Sequence, residues 1–91
     1  MKLLKMGALL SVSAGSVEPP KFIEMHYQGG NQKEPPVVLV GKAVTFDSGG
    51  ISLKPSSGMD EMKFDKCGGA SVLGVMQALI LSRPDMNVTG L

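Results

Sequence analysis

The sequence predicts an α/β fold in which helices pack on a small sheet. Residues 22–27 alternate imperfectly between apolar and polar side chains, as a strand with one buried face does. Residues 37–40 are a β-branched apolar run, which is typical of a strand buried on both faces. Residues 66–82 are apolar on nearly every side, which predicts a buried helix. Together these three segments indicate at least two strands and one packed helix.

Local signals define the elements before the second strand. Residues 1–10 are predicted to be the end of a helix, and residues 11–15 a short strand or turn. Pro19 and Pro20 keep the following chain extended, because their φ angles are fixed. Residues 29–31, Gly-Gly-Asn, predict a turn. These signals together predict a hairpin between the two strands.

Glycine and proline crowd the region after the second strand. Five of them lie within residues 41–58: Gly41, Gly49, Gly50, Pro55 and Gly58. This composition predicts irregular backbone with several tight turns. Loops that follow a buried strand are where α/β proteins place their ligands. The region is therefore the first place to look for a site.

Glycine and proline also mark both ends of the predicted helix. Gly68 and Gly69 lower helix propensity near its start, and would be tolerated if another backbone or a metal site approaches closely. Arg83-Pro84 is predicted to end the helix. Residues 87–91 look like the opening of another strand, without a visible partner. We therefore expect the chain to be a piece of a longer protein.

Composition narrows the class of protein. The chain has 91 residues and a net charge of +1, so nothing indicates a nucleic-acid partner. A hydrophobic share of 43% is typical of a globular protein. The single cysteine, Cys67, excludes a disulfide scaffold and fits a reducing compartment. No apolar run approaches the ~20 residues that a membrane span needs.

The amino terminus allows two interpretations. A basic start, an apolar middle and small residues before Ala14 resemble a weak signal peptide. A secreted small binding module, cleaved near Ala14, is the corresponding hypothesis. Lys5 interrupts the apolar stretch, however, and an amphipathic helix explains the same residues.

Charged residues are unusually frequent in the glycine-rich region. They are Lys42, Asp47, Lys54, Asp60, Glu61, Lys63 and Asp65. Charges so close to a core must be paired, solvated or bound to metal. One interpretation is a metal site. The other is a solvated loop in which Asp65 caps the following helix.

Several other reactive residue types have simpler interpretations. His26 has no ligand partner nearby in sequence, and a metal site needs several, so it is predicted to be structural. Cys67 is predicted to be a small buried hydrophobe. Ser48 and Ser52 lack the Gly-x-Ser-x-Gly arrangement, which argues against a serine hydrolase.

Residues 38–55, VLVGKAVTFDSGGISLKP, are similar to the signature of the leucyl aminopeptidase family. Residues 59–70, MDEMKFDKCGGA, resemble the same family, and so do residues 6–16. The likeness is greater to the bacterial branch, and it makes the signal peptide unnecessary. It implies that residues 1–91 are part of a mixed-sheet metallopeptidase catalytic domain with packed helices.

The resemblance also implies roles for four side chains. Lys42 and Asp65 would bind one metal ion, and Asp47 would bridge two ions. Lys54 would be catalytic, polarising the scissile carbonyl as an electrostatic stabiliser of the oxyanion type. The implied cofactors are two divalent metal ions, manganese or zinc, with bicarbonate as the base. Peptides with a free amino terminus, leucine preferred, would be the substrates.

The family's remaining features set further expectations. Its other acidic ligands and an arginine lie in a downstream Asn-Thr-Asp-Ala-Glu-Gly-Arg motif, and it has a separate amino-terminal domain. Neither occurs within these 91 residues. We therefore expect this chain alone to be inactive, and a truncated fragment or pseudoenzyme is the alternative to an active peptidase. The family is homo-hexameric and cytoplasmic, with no membrane or nucleic-acid partner expected.

Overall fold

Three short strands form one mixed sheet, described here from a computed structural model that covers residues 1–91. The strands are β1 (Met25–Gln28), β2 (Val37–Leu39) and β3 (Asn87–Gly90). β3 is central, antiparallel to β1 and parallel to β2. With the helices described below, this sheet confirms the predicted α/β class.

The predicted hairpin between β1 and β2 is wrong. Both strands pair with β3, so Val37 lies opposite Val88, while His26 lies opposite Thr89. A parallel pair needs a long crossover connection, which the helices between β2 and β3 supply. The expectation that residues 87–91 lack a partner is also wrong, because β3 has one on each side.

One long helical run connects β2 to β3. It consists of a 3₁₀ helix, Met59–Lys66, followed directly by α2, Cys67–Ser82. Arg83 ends α2 in the left-handed region, at φ 50° and ψ 52°, with its N–H donating to the Leu79 carbonyl. Pro84 follows and cannot continue the ladder. The predicted helix and its end are confirmed, and the 3₁₀ segment extends the helical run towards the amino terminus.

The amino-terminal half is less regular than predicted. The first helix, α1, spans only Gly7–Ser11, and a turn follows it. β1 begins at Met25, three residues later than the alternation suggested. Residues 41–58 contain no helix or strand, which confirms the expected irregular backbone.

The core lies between α2 and one face of the sheet. Val72 and Met76 of α2 meet Val88 of β3, and these three are the buried apolar side chains. Gly90 in β3 permits the close approach, because a Cβ there would lie 2.9 Å from Val72 Cγ1. Five half-buried residues surround this core: Met25, Tyr27, Leu39, Leu79 and Met86.

Burial on every side of α2 and on both faces of β2 was predicted wrongly. Leu81 is 76% exposed and Leu73 56%, because the sheet covers only one side of the helix. β2 is an edge strand, so its Val37 and Val38 are half exposed.

This exposure leads to a first prediction. Residues 1–91 expressed alone are expected to associate or aggregate, because large apolar surfaces drive association in water. Light scattering coupled to size-exclusion chromatography measures the mass in solution. A soluble monomer at micromolar concentration would contradict the prediction.

By length and composition alone, the helical run Met59–Ser82 could cross a membrane. Five of its first eight residues carry charged side chains, however, so the apolar part is the 16 residues of α2. That is shorter than the ~20 residues of a typical span. The core helix of an α/β domain can have the same length and apolar composition. Val72 and Met76 pack on the sheet, as side chains of such a core helix do.

Candidate metal centre

The site residues lie after the end of β2 and before the start of α2. In a strand–helix–strand unit, the carboxyl end of the first strand and the amino end of the helix lie at the same edge of the sheet. Lys42 follows β2, and Asp65 lies in the last turn before α2. The backbone continues the parallel pairing towards this edge, with Leu91 N–H bound to Leu39 O and Gly41 N–H to Leu91 O. The backbone just before Lys42 is therefore held in place by hydrogen bonds to β3 and the residue that follows it.

Lys42 and Asp65 form an ion pair, with 2.9 Å between Nζ and Oδ2. The Asp65 side chain is mostly covered, at 23% exposed, whereas that of Lys42 is 60% exposed. The hydrogen bond to Asp65 raises the pKa of Lys42, and the charges of Asp65 and Asp47 act in the same direction. The interpretation of Asp65 as a helix cap is wrong, since Lys66 holds the N-cap position of α2, where no side chain caps the helix.

Asp47 and Lys54 form the second ion pair. Lys54 Nζ lies 3.0 Å from Asp47 Oδ2 and also donates to the Asp47 carbonyl at 3.0 Å. The other carboxylate oxygen, Oδ1, accepts the Gly49 N–H at 2.9 Å. The Lys54 hydrogen bond lowers the pKa of Asp47, with smaller contributions from the Gly49 N–H and the Lys42 charge. Both oxygens of this carboxylate therefore have defined partners.

A tight loop makes the second pair possible. Gly49 and Gly50 adopt positive φ angles of 91° and 70°, which glycine reaches without strain. The loop then returns, and the Lys54 N–H donates to the Ser48 carbonyl at 2.9 Å. Gly49 was not predicted as a site residue. Its signal is the Asp-Ser-Gly-Gly sequence, because aspartate readily accepts the N–H two residues ahead.

The four predicted site residues thus meet as two neighbouring ion pairs. The Lys42 charge acts on Asp47 as well as on Asp65, which couples the pairs electrostatically. Two carboxylates and two ammonium groups balance in charge. The roles of Lys42, Asp47 and Asp65 as metal ligands, and of Lys54 as a catalytic residue, stay predictions.

The donor chemistry fits a divalent cation. Asp47 and Asp65 provide hard carboxylate oxygens, and the Lys42 amine provides a nitrogen donor once it loses its proton. No group of three or more His, Cys, Asp or Glu side chains gathers anywhere in the chain. A metal ion bound by Asp47 and Asp65 would therefore take its third protein ligand in this chain from the Lys42 nitrogen.

The other reactive residues lie apart from this cluster or lack partners. His26, in β1, has Nδ1 3.2 Å from Thr89 Oγ1 and Nε2 3.8 Å from Glu24, which agrees with a structural role. Cys67 is exposed at the start of α2, so its prediction as a buried hydrophobe is wrong. The first turn of α2 leaves this side chain uncovered because the sheet packs farther along the helix, at Val72 and Met76.

Comparison with known proteins gives one consistent result. The sequence profile of the cytosol aminopeptidase family, catalytic domain, matches residues 1–91. A protein of Aromatoleum aromaticum named "Probable cytosol aminopeptidase" is 63% identical over 91 residues, which is 100% of this chain and 18% of that protein. Proteins of the same name from Vesicomyosocius okutanii and Azoarcus sp. are 62% and 60% identical over 97% and 100% of this chain. The chain spans about 18% of the length of these curated relatives.

Proposed function

This chain belongs to the cytosol aminopeptidase family, and from that premise we propose that its residues 42–65 form part of the active site of a metal-dependent aminopeptidase. The reaction is hydrolytic release of amino-terminal residues, leucine preferred, from peptides. The observation that carries this proposal is the pairing of Lys42 with Asp65 and of Asp47 with Lys54, all within the segment that follows β2.

Lys42, Asp47 and Asp65 would hold two divalent ions, manganese or zinc, with Asp47 shared between them. When bound, such ions supply an activated water and neutralise charge that develops on the substrate. Bicarbonate would act as the base. The carboxylates suit this arrangement, because each is at most 38% exposed and both oxygens of Asp47 have partners outside the proposed ligand set.

The Asp47 contacts support its proposed bridging role. A bridging carboxylate uses both oxygens, so its plane must be held in one orientation. Gly49 N–H fixes Oδ1, and Lys54 fixes Oδ2. The two contacts come from opposite ends of the same short loop and restrict rotation of the carboxylate.

The Lys54 contacts support its role as the group that polarises the scissile carbonyl. An ammonium has three N–H donors. Two are directed to Asp47, one to the carboxylate and one to the backbone carbonyl. The third remains to donate to a substrate oxygen. At 34% exposed, the Lys54 side chain can still be reached from solvent.

The setting of the reaction is also part of the proposal. The relatives carry the word cytosol in their names, which supports a cytoplasmic protein acting on peptides with a free amino terminus. A homo-hexamer is proposed from the family resemblance.

A chimera tests the proposal. Residues 1–91 of this chain replace the matching segment of the full-length Aromatoleum aromaticum protein, which aligns over all 91 residues. We expect the purified chimera to hydrolyse leucine amide with added manganese or zinc, and to lose activity with a chelator. A folded chimera that binds the metal without hydrolysing any aminoacyl amide would contradict the proposed function. Hydrolysis of other aminoacyl amides, but not of leucine amide, would contradict only the leucine preference.

A further inference from the structure

The first turn of α2 lies directly against the backbone that carries Lys42. Gly69 N–H donates to the Lys42 carbonyl at 2.8 Å. A Cβ on Gly68 would lie 3.0 Å from both the N and the O of Lys42. A Cβ on Gly69 would lie 2.6 Å from the Ala43 Cβ. These separations are shorter than ordinary contacts, so either side chain would push the two segments apart.

The facing segment also lacks a side chain at the point of contact. A Cβ on Gly41 would lie 2.5 Å from the Gly68 carbonyl oxygen and 2.7 Å from Val72 Cγ2. The strand end and the helix start therefore touch backbone to backbone. The sequence-based expectation that Gly68 and Gly69 accommodate a closely approaching backbone is confirmed.

A third glycine in the same helix behaves differently. Gly74 would meet nothing within 4 Å if it carried a Cβ. Glycine is the poorest helix former after proline, and nothing near Gly74 compensates for that. Among residues 1–91, the steric requirement in α2 is therefore found at the turn that faces Lys42 and not at Gly74.

This contact links both members of the Lys42–Asp65 ion pair to one helix end. Asp65 stands four residues before Gly69, about one helical turn. The backbone of Lys42 is held by Gly69, and its side chain by Asp65, at 2.8 and 2.9 Å. A shift of a few tenths of an ångström at Gly69 would move the Lys42 backbone relative to Asp65.

We propose that Gly68 and Gly69 are positioning residues, which set the distance between the Lys42 amine and the Asp65 carboxylate by admitting the Lys42 backbone to the start of α2. Their importance for metal binding rests on the proposed function above, whereas their effect on the ion pair does not. Groups that orient metal ligands typically change affinity by about 10–100-fold when altered.

Three variants of the chimera test this proposal: Gly69→Ala, Gly74→Ala as the matched control, and the double variant Gly69→Ala with Ala43→Gly. Manganese affinity is measured by calorimetry, and melting temperature without metal is measured separately. We expect Gly69→Ala to weaken manganese binding by about 10–100-fold. Gly74→Ala should bind manganese normally and melt no lower than the parent. The double variant removes the Ala43 methyl group, which would lie 2.6 Å from the new Cβ at position 69. It should therefore recover most of the manganese affinity.

Crystal structures of the parent and of Gly69→Ala provide a readout that does not depend on metal or activity. The Lys42 Nζ to Asp65 Oδ2 distance, 2.9 Å here, should be longer in the variant than in the parent. An unchanged distance, or equal manganese affinity in the Gly69→Ala and Gly74→Ala variants, would overturn the proposal. Failure of Ala43→Gly to restore affinity would do the same. An inactive parent chimera would count against the proposed function and not against this proposal. The crystallographic distance would still test the contact between Gly69 and Lys42.

Discussion

The Asp47→Ala variant of the chimera is expected to lose bound metal and aminopeptidase activity together. Asp47 is the proposed shared ligand, so its removal leaves neither ion with a complete set of donors. It also deprives Lys54 of the carboxylate that lies 3.0 Å away, and leaves the Gly49 N–H without its acceptor. Metal per subunit is measured by elemental analysis after dialysis, and turnover by hydrolysis of leucine amide.

Asp60→Ala is the matched control for this variant. Asp60 is an exposed carboxylate in the neighbouring 3₁₀ helix and forms no ion pair. Its removal changes the local charge by the same amount, so a general electrostatic effect on metal binding would appear in both variants. Full metal content in the Asp47→Ala protein would refute the shared-ligand role.

The Lys54→Ala variant is expected to keep its metal and lose turnover, because the Gly49 N–H still holds Asp47 Oδ1 when Lys54 is removed. Lys54 is proposed to donate a hydrogen bond to the substrate oxygen as negative charge develops there. It is not proposed to bind metal, so its removal should leave the metal in place. Removal of one such donor costs about 2.7–4 kcal/mol of transition-state stabilisation, or roughly 10²–10³-fold in kcat. Because the interaction strengthens in the transition state, kcat and kcat/KM should fall by similar factors.

Lys63→Ala is the corresponding control. The Lys63 ammonium lies 5.2 Å from the centre of the Phe64 ring and has no carboxylate partner. Its loss should leave kcat unchanged, although it alters net charge as Lys54→Ala does. Loss of metal from the Lys54→Ala protein would show that Lys54 acts by holding Asp47 in place, and would refute its catalytic role.

Local features were predictable from the sequence because their causes are local. The end of α2 follows from Arg83-Pro84, since proline cannot donate the next hydrogen bond. The irregular backbone of residues 41–58 follows from its glycines, two of which adopt positive φ in the loop after Asp47. The candidate site residues were named from a family resemblance, and the structure adds the ion pairs that connect them.

Sheet order could not be predicted in the same way. Hydrophobic alternation identifies a strand but says nothing about its neighbours, and the nearest strand in sequence was the wrong partner for β1. The prediction that α2 is buried failed for a related reason. Its apolar sequence shows that the helix needs contacts, whereas the exposure of each side chain depends on which elements pack against that side of the helix. The N-cap interpretation of Asp65 failed because capping and pairing with a distant lysine compete for one carboxylate.

The central position of β3 has a consequence for how this segment folds during synthesis. His26 and Thr89 are 63 positions apart, yet they face each other across the β1–β3 pair. Neither β1 nor β2 can join the sheet until β3 has emerged from the ribosome, and β3 comes after Lys42, Asp47, Lys54 and Asp65 in the chain. The loops closed at that moment are long, and such topologies fold slowly. Until then, the apolar side chains of α2 lack the sheet on which they pack, and the nascent chain is at its most exposed to chaperones and to aggregation.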